Sequence, residues 1–210
     1  MSFELSGHHR EVLERAREVG AKVRWRATEA DAATDVDPVM REALQESGLA
    51  ALTVPAAHGG ASEKVDSLAV TVVREAFGGV SAHLDSLFAM QGIGSYALAV
   101  GASERIQQEW LPRVVTLDAI AALCLTEPDV GSDLKAISTT VVERDGELVL
   151  NGHKSFITNA GAAHFYTVLA KEDDGYSLVF VPADTPGVQV TPGPDSTRTP
   201  GVSAGTNTSE

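Results

Sequence analysis

LDAIAALCLTEPDVGSD, residues 117–133, is where the chain changes texture. Within it, the run from Ala119 to Leu125 is short, apolar and bounded by polar residues, which suits a strand. Downstream, Val141–Glu143 and Glu147–Leu150 flank an Asp145-Gly146 turn. Phe165–Ala170 and Ser177–Val181 flank the polar Lys171–Gly175 stretch. Asn151-Gly152 reads as a second tight turn, because both residues tolerate positive φ. Upstream, apolar residues recur at helical spacing. Helices first and antiparallel strands second predict an α+β fold. The expected layout is a helical N-terminal domain (1–118), a small antiparallel β-domain (119–190) and a flexible tail (191–210). The tail expectation rests on a Pro/Gly/Ser/Thr composition that buries little apolar surface.

In the helical part, Val12, Ala16, Val19 and Val23 are spaced by four, three and four residues, one face of a helix. Asp37-Pro38 predicts a helix start, with Asp capping free N–H groups and Pro at the first position. That helix should bury Met40 and Leu44 and end near Gly48. Ser62 is expected to cap the next helix, whose stripe is Val65, Leu68, Ala69, Val72, Val73, Ala76 and Phe77, ending at Gly78-Gly79. Leu84, Leu87 and Phe88 open another apolar helix running toward Gly101. Ser103 should cap a short helix through Trp110, stopped near Pro112.

Composition narrows the function classes. Of 210 residues, 43% are hydrophobic, enough for a substantial core, and the formal net charge is −13. An acidic surface disfavours nucleic acid and anionic membranes as partners. The single cysteine, Cys124, allows no intrachain disulfide and suits a reducing compartment. With no secretory pattern at the N-terminus and no apolar run of membrane-spanning length, the expectation is a cytoplasmic protein. The histidines show no metal-ligand spacing, so no metal site is expected.

Two segments carry candidate chemistry. In Leu125–Asp133, Gly131 permits close approach to a ligand, Ser132 offers a hydroxyl donor, and Thr126 can meet a polar ring edge. A surface turn with Asp and Ser at its corners reads the same way. In Asn151–Asn159, strand alternation would place Phe156 and Thr158 on one side and Ile157 on the other. An aromatic beside a hydroxyl suits a flat heterocycle; the alternative is that Phe156 is core and Thr158 a strand residue.

Taken together, LTEPDVGSD followed by NGHKSFITN resembles the acyl-CoA dehydrogenase family, with its TEP-x-x-GSD loop and NG-x-K-x-(aromatic)-IT-N segment. GASERIQQEWLPRVV (residues 101–115) also resembles the family's approach to that loop. The likeness extends from about Val36 to Val190. It implies an N-terminal helical domain, a middle β-domain, here incomplete, and a C-terminal helical domain beyond this stretch. It implies FAD as cofactor and α,β-desaturation of an acyl thioester, carried by CoA or an acyl carrier protein. By resemblance, Leu123, Leu125, Thr126, Gly131, Ser132, Phe156, Ile157 and Thr158 bind the cofactor. Ser132, Met90 and Gln91 would meet the substrate. Asp129-Val130 stands where the family usually has small residues, and Phe156 where Trp is common. The family's catalytic base is a carboxylate of the C-terminal helical domain, so no base is assigned in this chain. The resemblance therefore implies completion by another chain or segment, and the expected protein partner is a second dehydrogenase-like chain or a homo-oligomer. Two rival expectations are a non-catalytic scaffold subunit and a flavin-dependent monooxygenase of the same fold.

Overall fold

The computed structural model describes residues 4–191 and the backbone of residues 201–204. The chain divides after Ala119 into two compact units, one helical and one built on a sheet.

The first unit contains α1 (Gly7–Val23), α2 (Ala27–Ala32), α3 (Pro38–Ser47), α4 (Ser67–Gly78), α5 (Ala82–Gly101) and α6 (Glu104–Val115). In α1 the expected face is the buried one: Val12, Ala16, Val19 and Val23 pack inward, and α1 lies against α3 and α4. Asp37 caps α3 as its sequence predicts, accepting from the N–H groups of Val39 and Met40 at 3.0 and 3.1 Å. A buried carboxylate needs pairing, and Arg26 Nε supplies it at 2.9 Å. Gly48 ends α3 in the left-handed region at φ 66°, which glycine adopts without Cβ strain. The hub is α5, which touches α2, α3, α4 and α6 and buries Leu84, Leu87, Phe88 and Leu98. Each such side chain contributes about 1.5–3 kcal/mol by leaving water.

Two expectations in this unit fail for local reasons. Asp66, not Ser62, caps α4, accepting from the N–H groups of Leu68 and Ala69. Ser62 is instead bridged to Pro55. Pro112 does not stop α6, which continues to Val115. Proline removes only its own N–H, and the helix closes three residues later with Thr116 N–H on Pro112 O at 3.2 Å. The chain leaves the helices through Leu117, buried and at φ 57°. A left-handed leucine costs about 1–2 kcal/mol. Arg41 Nη2 donates to the Leu117 carbonyl at 2.8 Å and helps hold it there.

The second unit is a seven-stranded sheet in the order β1-β4-β2-β3-β7-β6, with β5 on the other edge of β4. Its strands are β1 (Ala121–Cys124), β2 (Thr140–Arg144), β3 (Glu147–Lys154), β4 (Phe165–Glu172), β5 (Gly175–Pro182), β6 (Val188–Thr191) and β7 (Gly201–Ala204). The β2–β3 hairpin turns at Asp145-Gly146 as expected, both at positive φ. The α+β class holds, but the sheet is mixed. While β2–β3, β3–β7, β4–β5 and β6–β7 are antiparallel, β1 runs parallel to β4 and β2 meets β4 in parallel at Lys171. A core of Ala122, Cys124, Ile157, Ala160, Tyr166, Val168 and Val181 lies against it.

Asn151-Gly152 is not a turn. Both residues lie inside β3, where Gly152 pairs with Ala204. The glycine serves packing: a Cβ there would sit 2.2 Å from Thr139 Oγ1 and 2.6 Å from Thr139 Cβ. The expected tail falls mostly outside the described residues. Within it, the backbone of Gly201–Ala204 pairs on both sides, with β3 and β6.

Candidate functional site

The two segments singled out by their chemistry meet. Ser155 N–H donates to the Thr126 carbonyl at 2.8 Å, and Lys154 Nζ donates to the Leu125 carbonyl at 2.9 Å. Beneath this junction lies a residue that sequence reasoning passed over. Glu127 is only 3% exposed. Its carboxylate accepts from Ser138 N–H at 2.6 Å, Ser138 Oγ at 2.7 Å, Thr139 N–H at 2.9 Å and Thr139 Oγ1 at 2.6 Å. Lys154 Nζ completes the set at 3.0 Å. Burial alone would raise the Glu127 pKa, but the hydrogen bonds from Thr139 and Ser138 prevail and hold it far below the usual carboxylate range. Glu127 and Lys154 belong to the quoted motifs, yet the signal for their pairing is spatial, since 27 residues separate them.

From Glu127 the backbone makes a tight turn, with Glu127 N–H on Val130 O at 2.9 Å and Val130 N–H on Glu127 O at 3.2 Å. That turn displays Asp129, Gly131, Ser132 and Asp133 to solvent. Gly131 does not use positive φ, and a Cβ on it would meet open space. Asp133 accepts from Lys135 N–H at 3.3 Å and so starts a short helical turn at Leu134–Ala136.

On the other side of the junction the strand expectation fails and a more specific feature replaces it. After Lys154 the chain leaves β3, and Phe156 takes φ 58° while Asn159 takes φ 64°. Alternation of faces does not apply to such a bend. Phe156 is 75% exposed, so it is not core. Ile157 turns inward and joins the hydrophobic core, so its side chain cannot contact a cofactor. Thr158 is half-buried. Left-handed backbone at a bulky residue is strained, and the bend is held by Tyr166 Oη on Ala160 O at 2.8 Å and by Ala163 N–H on Asn159 O at 2.8 Å. The result is a large aromatic displayed to solvent on a left-handed bend.

The remaining candidates divide. Leu123, Leu125 and Thr126 are half-buried, so each keeps part of its surface available. Met90 is half-buried on α5, in the helical unit. Gln91 is corrected: it is fully buried, and its Nε2 donates to Val114 O and Ala119 O, both at 2.9 Å. A glutamine committed to two carbonyls braces the α5–α6 region and is not free to meet a substrate. Cys124 is buried, and burial pushes its thiol up to about 12, so it is no nucleophile.

The arrangement suits a planar ring. The exposed Phe156 phenyl offers a packing face, worth about 2 kcal/mol when covered. Thr126 and Thr158 offer hydroxyls for a polar edge. The Glu127 charge is enclosed by five hydrogen bonds, so no bare carboxylate beneath the junction repels an electron-rich heterocycle.

Residues 6–118 match the model of the acyl-CoA dehydrogenase N-terminal domain, and residues 122–207 match that of the middle domain. Cyclohexane-1-carbonyl-CoA dehydrogenase of Geobacter metallireducens is 34% identical over 168 residues, covering 78% of this chain and 44% of that protein. The solved butyryl-CoA dehydrogenase of Megasphaera elsdenii superposes with a TM-score of 0.83 at 25% identity, covering 97% of this chain and 56% of that one. A glutaryl-CoA dehydrogenase of Mycobacterium smegmatis, solved with FADH2, superposes with a TM-score of 0.83 at 27% identity, covering 95% and 52%. This chain thus spans about half the length of the relatives it matches. With matched domains running nearly end to end in the family's order, the chain belongs to the acyl-CoA dehydrogenase family.

Proposed function

We propose that this chain provides the FAD-binding part of a dehydrogenase that desaturates an acyl thioester. The observation that carries this reading is the junction of Leu125–Ser132 with Lys154–Thr158 beside an exposed, left-handed Phe156. Phe156 packs on the ring face of the flavin. Thr126 and Thr158 donate to its polar edge, and Leu123 and Leu125 give that edge an apolar floor. Ser132, displayed on the turn after Glu127, meets a phosphate-bearing arm. When bound, FAD supplies the two-electron acceptor that the protein side chains lack. The residues of this chain orient the ring and keep water from its packed face. The carboxylate that takes the substrate's α-proton is assigned to another chain or segment, and the protein partner is a second dehydrogenase-like chain or a further copy of this one. The substrate class is an acyl thioester of CoA or of an acyl carrier protein.

The test is spectroscopic. Protein purified alone, and with the product of any adjacent reading frame that encodes a helical bundle, is dialysed against FAD and stripped of free flavin. A retained visible flavin band, weakened in Phe156→Ala and Thr158→Ala, is the expected result. A chain that retains no flavin in either form overturns the reading.

A further inference from the structure

The Glu127–Lys154 pair is placed for more than stability. Lys154 is the last residue of β3, directly before the bend that displays Phe156. Its ammonium, with the side chain 3% exposed, reaches both the Leu125 carbonyl at 2.9 Å and Glu127 at 3.0 Å. The next residue, Ser155, donates its N–H to the Thr126 carbonyl between those two anchors. Three consecutive residues of one segment are thus held against two consecutive residues of the other. Glu127 is independently held by Ser138 and Thr139, and Lys154 ties it to the Leu125 carbonyl. A buried ion pair is weak evidence for stability, because an apolar pair of similar volume often serves as well. Its best-attested use is to select one register among several.

We infer that Lys154, braced by Glu127, is a positioning residue that sets the register of Leu125-Thr126 against Phe156 and Thr158. The inference rests on the FAD reading for its consequence, but the clamp itself exists without ligand. Loss of the ammonium frees the Leu125 carbonyl, loosens the Ser155–Thr126 bond and lets the two ring-facing segments slide. The carboxylate keeps its four donors from Ser138 and Thr139, so the fold of the sheet persists.

The experiment compares wild type, Lys154→Met and the doubly neutral Glu127→Gln/Lys154→Met. The double variant carries the same test if the single one does not fold. The first readout is amide hydrogen exchange in flavin-free protein. Ser155 should lose about tenfold or more of its protection, the effect of losing a charge-assisted hydrogen bond next to it. Amides of the β4–β5 ladder should keep theirs. The second readout is FAD titration well below the unfolding temperature. The variants should bind about tenfold more weakly, with a shifted visible band, because a misplaced edge donor changes the ring's surroundings. Unchanged Ser155 protection overturns the inference. So does lost Ser155 protection with unchanged FAD affinity and spectrum, which would make the pair merely structural. If wild type binds no FAD either alone or with the completing helical chain, the flavin reading fails separately, and Ser155 exchange still decides whether Lys154 sets the register.

Discussion

Replacing Gly152 by alanine tests the packing beneath the site. The new Cβ would lie 2.2 Å from Thr139 Oγ1, 2.5 Å from Cγ2 and 2.6 Å from Cβ. Rotating the threonine does not relieve this, since its own Cβ is among the clashing atoms. Restoring ordinary contact moves Thr139 by about 1 Å, which stretches its 2.6 Å bond to Glu127 beyond hydrogen-bonding range. Losing a hydrogen bond to a charged group costs about 1.5–3 kcal/mol. Overpacking adds about 1–3 kcal/mol. The reduced chain entropy of the unfolded state returns about 0.4–1 kcal/mol. The expected net destabilisation is about 2–5 kcal/mol, read by urea denaturation followed by far-ultraviolet circular dichroism. Adding Thr139→Ala should recover only part of it, because the 2.6 Å contact with Cβ remains. A Gly152→Ala protein within about 0.5 kcal/mol of wild type would refute the reasoning, since that is the range of an unremarkable surface change.

Two further outcomes follow from the same geometry. Glu127 has a depressed folded-state pKa, so its contribution is complete above the ordinary value of 4.5 and is lost as pH falls below it. Glu127→Gln should therefore flatten part of the decline in urea midpoint as pH falls below 4.5, while Asp31, Asp37 and Asp66, also depressed, keep the rest. Identical acid slopes in the two proteins would contradict this. Cys124, buried with its thiol pushed up to about 12, should resist a thiol-reactive disulfide reagent at mildly alkaline pH until denaturant is added; rapid labelling of the native protein would show the sheet to be open there.

How much of this was legible in the sequence depended on how local the cause was. The α1 face and the Asp37-Pro38 start of α3 were readable because helical period and capping act within a few residues. Ser62 misled because a stripe counted from Val65 puts Asp66 inside the helix; the helix begins at Ser67, with Asp66 as its cap. Gly152 looked like a turn residue because glycine serves both turns and close approach, and the approaching group, Thr139, lies on a different stretch of chain. The alternation argued for Phe156 and Thr158 fails in the structure, because it assumes extended backbone and Phe156 is left-handed. Gln91 showed the limit of carrying roles by resemblance, since its carbonyl partners sit 23 and 28 residues away. The Glu127 hub was hidden for a similar reason, its donors lying 11, 12 and 27 residues along the chain.

The central claim is that one planar cofactor contacts both segments at once. Amide chemical-shift mapping of isotopically labelled protein during FAD addition asks this directly. Thr126, Ser132, Phe156 and Thr158 should shift together along one titration curve, while Asp145 and Gly146 at the far hairpin stay still. Shifts confined to one segment, or found only elsewhere, would contradict the account.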